Sequence, residues 1–78
     1  MTRDEIECKL AENEAAQDRQ MVRFAELQMA IRTTADSERR LTLKIAMMSI
    51  VDEVSRLSLA HSDLRYLQIL AEQRVEAA

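Results

Sequence analysis

Leu43, Met47, Ile50, Val54, Leu57, Leu64 and Ala71 recur at steps of three and four residues, with His61 on the same line. That spacing places them on one face of an α-helix. A second apolar line, Leu41, Ile45 and Met48, falls on another side of the same helix. It lies within residues 41–51, where eight of eleven positions are apolar. A helix apolar on two sides has to be covered on two sides. The segment therefore asks for more cover than one short chain readily supplies.

The first half of the chain shows the same period. Ile6, Leu10, Asn13, Gln17, Gln20, Phe24, Leu27 and Ile31 form one stripe. Its middle is polar where a core would place Leu. The first expectation is a partly solvated face. The alternative is a buried polar layer that sets register, as one Asn does in coiled coils. Thr2-Arg3-Asp4-Glu5 has the form of a capping box, so a helix is predicted over 2–32.

Thr33-Thr34-Ala35-Asp36-Ser37 is the one candidate break. Two β-branched residues lower helix propensity there, and Asp36 or Ser37 can cap a new helix. Phase supports a reversal. Carried past Ile31, the first stripe runs through Thr34, Glu38, Leu41, Ile45 and Met48, then meets Asp52 and Ser55. The stripe that continues to Ala71 is offset by two residues, about 200° around the helix. An antiparallel helical hairpin with helices over 2–32 and 37–76 follows, all-α and a single domain over 1–78. Folded back near residue 35, Gln17 and Gln20 would oppose Val54 and Ile50. Ile69, Leu70, Ala71 and Val75 would extend past the N-terminus. Pairing of second helices from two chains would remove both mismatches. The expectation is a homodimer, a four-helix bundle or coiled coil, with Leu43, Met47, Ile50, Val54, Leu57, Leu64 and Ala71 at its interface.

Composition agrees with helix. The 78 residues include no Gly and no Pro, which tight turns and sheets rarely do without. A chain this short forms a marginal core on its own, which again favours an oligomer. One cysteine, Cys8, allows no internal disulfide and points to a reducing compartment or an intermolecular bridge. The charged start lacks the apolar stretch of a signal peptide, and residues 41–51 are too short to span a bilayer. A cytoplasmic protein with no membrane association is expected.

Net charge is −3, but it is divided along the chain. Residues 1–18 carry two basic and six acidic groups, net −4; residues 19–44 carry six and three, net +3; residues 45–78 carry three and five, net −2. Arg32, Arg39, Arg40 and Lys44 would crowd the turn of a hairpin, where they can contact a protein partner or phosphate. Asp36 and Glu38 stand among them. Phe24 and Tyr66 are the only aromatics, so stacking on bases has no platform, which argues against direct nucleic-acid binding.

Catalytic chemistry finds little support. The hairpin register would bring Cys8 near His61, a pairing that can activate a thiolate or begin a metal site. No further Cys or His completes it. Arg56, Arg65 and Arg74 recur every nine residues and do not share a face. No enzyme, cofactor or metal is expected. The leading reading is a structural or interaction protein, a self-associating helical hairpin acting as scaffold or adaptor toward a further protein partner. The second is a small regulator or inhibitor of phage or mobile-element type, anti-CRISPR-like, that binds and blocks a nucleic-acid-handling complex.

Overall fold

The computed structural model describes the backbone of residues 1–77 and the side chains of residues 1–74. Two helices, α1 (Arg3–Thr33) and α2 (Ser37–Ala77), fold back on each other as a hairpin. The molecule is a rod of 63 × 14 × 14 Å. These dimensions are those of one helix length and a two-helix cross-section.

Each boundary has a local cause. Thr2 caps α1, its Oγ1 accepting from the Glu5 N–H at 3.2 Å. Asp4 and Glu5 then sit in the first turn, where the helix dipole favours negative charge. At the far end Thr33 Oγ1 donates to the Met29 and Ala30 carbonyls, both at 3.2 Å. Thr34 Oγ1 donates to the Ala30 carbonyl at 2.6 Å. These hydroxyls occupy carbonyls the helix would otherwise leave to water. Thr34 turns extended (φ −101°, ψ 122°) and the helix stops. Asp36 starts α2: its Oδ1 accepts from the Glu38 N–H at 3.1 Å and its carbonyl from the Arg40 N–H at 2.9 Å. Among the described residues no backbone φ is positive, so the reversal proceeds without glycine.

The two stripes meet as the hairpin's own seam. Ile6, Leu10 and Ile50 are buried, Ile50 at 5 % exposure. Leu43, Met47, Val54, Leu57, Leu64 and Ala71 are half-buried on the same side of α2. Within a single chain they are already turned toward α1, and each keeps part of its surface exposed. The polar centre of α1 covers them after all. Gln17 and Gln20 are half-buried, so their long side chains lie partly against the other helix.

The expected solvated face is also corrected at Asn13, which is 7 % exposed. Its Nδ2 donates to the Leu57 carbonyl at 2.8 Å, and its Oδ1 accepts from Gln17 Nε2 at 2.7 Å. Among the described residues no buried side-chain polar atom lacks a partner. At the open end Met1, Arg3 and Ile6 share a hollow with Leu67, Leu70 and Ala71. Leu70 and Ala71 therefore do not project past the N-terminus as bare helix. The side chain of Val75 lies outside the described residues.

Candidate interaction surface

The far side of α2 carries a second line that the hairpin leaves uncovered. Leu41, Ile45 and Met48 begin it, at about half a turn from Ile50. With the same three-four spacing it continues through Asp52, Ser55, Leu59, Ser62, Tyr66 and Ile69. Leu59 is 70 % exposed and Met48 67 %, and Leu41, Ile45, Tyr66 and Ile69 are exposed as well. Sequence reasoning followed this line only to Met48, because Asp52 and Ser55 interrupt it. Its resumption at Leu59, Tyr66 and Ile69 was the signal available. Single exposed hydrophobes are ordinary on any surface, but six at helical spacing along one side of α2, in two groups divided by Asp52 and Ser55, form a feature.

Beside it runs a groove of about 460 Å³ between the helices, lined by Phe24, Met47, Met48 and Val51, with Lys44 and Asp52 at its margin. Met21 extends the apolar surface on the α1 side, where it lines a smaller hollow with Phe24, Ile50 and Val54. Methionine suits such a surface because its unbranched thioether adapts to what packs on it.

The turn carries more basic than acidic groups, with Asp36 and Glu38 among them, and the first turns of α1 at the open end carry more acidic than basic ones. Arg32, Arg39, Arg40 and Lys44 are exposed around the turn, and Arg40 and Lys44 border a shallow hollow with Ser37 and Leu41. Asp4, Glu5, Glu7 and Glu12 are exposed at the open end, with Arg3 Nε 3.5 Å from Glu7 Oε1. Tyr66 lies about 33 Å along α2 from Lys44, so the basic turn has no exposed aromatic beside it. On α2 the Arg56 guanidinium hydrogen-bonds Glu53, Nε to Oε2 at 3.1 Å. That bond holds the Glu53 carboxyl below its usual range; partial loss of water opposes the shift, and the positive charge adds to it.

The suggested chemistry does not assemble. Cys8 is exposed, two residues past the seam residue Ile6 and so about 200° around α1. His61 is held instead by Glu14, with Nε2 3.1 Å from Oε1. Among the described residues no three His, Cys, Asp or Glu side chains converge as metal ligands. No helix of the described residues is long and apolar enough to cross a membrane. No protein-family model, curated protein or solved structure matches the chain.

Proposed function

We infer that the protein is a non-enzymatic interaction protein: a helical hairpin that self-associates and acts as a scaffold or adaptor for a further protein. One observation supports this above the rest. The exposed line from Leu41 to Ile69 contributes nothing to the hairpin's own seam, yet keeps six large apolar side chains in water. Exposed apolar surface of this extent marks an association site. The lone exposed thiol of Cys8 suits a reducing, cytoplasmic setting.

Light scattering and small-angle X-ray scattering over a concentration series test the reading. The wild-type chain is expected to associate. Met48→Glu with Leu59→Glu is expected to weaken association by more than about tenfold, because each change forces a charge into an apolar contact. Helical content should be unchanged, since both positions are exposed in the single chain. A wild-type chain that stays single at every concentration refutes self-association.

The separation of charge favours a second reading, a small regulator that blocks a nucleic-acid-handling complex by matching its charged surfaces. Binding of that kind weakens steeply as salt rises, whereas apolar self-association does not.

A further inference from the structure

We propose that the occupant of the outer face of α2 is the same face of a second copy, packed antiparallel about a two-fold axis at the level of Leu57. The proposal rests on the self-association reading and adds its direction, register and contacts.

The line of exposed residues is nearly palindromic in size. Ile45 and Ile69 lie twelve residues either side of Leu57, and Met48 and Tyr66 lie nine either side. Asp52 and Ser62 lie five either side, and Ser55 and Leu59 two. An antiparallel two-fold pairing therefore sets Ile45 against Ile69 of the second copy and Met48 against its Tyr66. Asp52 meets a hydroxyl at Ser62, and Leu59 meets the small Ser55. Large side chains meet large ones at the ends, and large meets small near the axis, where the helices approach closest. A parallel pairing would instead place Asp52 against its own copy.

The same register maximises overlap. Leu57 is the midpoint of Ser37–Ala77, so the two helices cover each other end to end. The contact then runs for about 60 Å without lengthening the rod.

Charge supplies an independent match. Lys44 and Glu72 flank the line on the same side of α2, and both are exposed. The register places each Lys44 beside Glu72 of the second copy. They stand about 42 Å apart within one chain and cannot meet there. The pairing also sets the basic turn of one rod beside the acidic open end of the other, which steers the approach. Arg56 meets its own copy near the axis, and each Arg56 carries its own counter-charge in Glu53.

The test has two parts, both on the full chain. Dimer dissociation constants are measured at low salt for wild type, Lys44→Glu, Glu72→Lys and the double variant. Each single variant is expected to weaken the dimer roughly tenfold, with the double variant returning to within about twofold of wild type. In a Cys8→Ala background, Ile45→Cys and Ile69→Cys chains are then oxidised separately and mixed. Disulfides should form mainly in the mixture, between unlike chains. A dimer in which Ile45→Cys chains cross-link efficiently to each other, or in which the double variant stays as weak as the singles, overturns the antiparallel register and leaves self-association standing. Growth of mass beyond the dimer overturns the closed two-fold arrangement. A wild-type chain that remains single overturns both.

Discussion

Asn13 donates its side-chain amide to the backbone carbonyl of Leu57, 2.8 Å away and 44 residues later in the chain. Side-chain stripes with three-four spacing can slide by one heptad and still bring apolar positions together. A hydrogen bond to one named carbonyl does not slide. Asn13 thus sets which turn of α1 lies beside which turn of α2, and the neighbouring contact between Glu14 and His61 falls in the same layer.

Asn13→Ala is expected to lower stability by about 1–2 kcal/mol, because the bond is lost and Gln17 Nε2 loses its acceptor. Asn13→Leu should cost less or stabilise, since apolar filling replaces the buried amide. Urea unfolding followed by circular dichroism measures both. An Asn13→Ala chain as stable as wild type would remove the amide from any part in holding the register.

Ile50 is the most enclosed of the described residues of α2, and its cover comes from α1. Ile50→Ala is expected to cost roughly 2–5 kcal/mol, enough to threaten a fold with so few buried residues. Ile50→Asp should abolish the helical signal at every protein concentration. If raising the concentration restored the signal, the residue would belong to a contact between chains.

Asp36 holds the first free N–H groups of α2. Asp36→Ala is expected to destabilise the hairpin by about 1 kcal/mol, and Asp36→Asn by much less, because Asn caps nearly as well. Thermal unfolding of the two variants side by side gives the comparison. Equal losses would indicate that the charge near Arg39 and Arg40, and not the cap, is what matters.

Glu53 titrates below its ordinary value of 4.5 because Arg56 hydrogen-bonds its charged form. A carboxylate with a lowered folded-state pKa adds stability that is complete above the unfolded value and disappears as pH falls through the folded one. Wild type should therefore exceed Glu53→Gln in melting temperature at pH 6, and the gap should close as pH drops below about 4.5. A gap that persists into acid would trace to packing.

The helices and their reversal were legible from pattern alone. Period, the Thr2 cap and the change of phase near residue 35 are local features, and local rules describe them well. The expected bounds of 2–32 and 37–76 differ from Arg3–Thr33 and Ser37–Ala77 by one residue at three ends and agree at Ser37. What failed was the judgement of which surface covers which. Gln17 and Gln20 look like solvent residues, but both are half-buried, and Gln17 donates its amide to Asn13. Asn13 looks like a solvent residue until its acceptor, a backbone carbonyl on the other helix, is in place. With the stripe at Leu43 to Ala71 turned toward α1, the line through Met48, Leu59 and Tyr66 is the open face of the single chain. Its polar interruptions had hidden it from a search for unbroken apolar runs.

The seam and the outer line occupy opposite sides of α2, half a turn apart. On the proposed reading, folding and association are thus specified by separate sets of residues in one segment. On that reading, substitutions at positions 45, 48, 59, 66 and 69 would retune what the rod binds with little effect on whether it forms. The hairpin would in that sense serve as a display scaffold, about 60 Å long, whose outward face can be rewritten while its inward face stays constant.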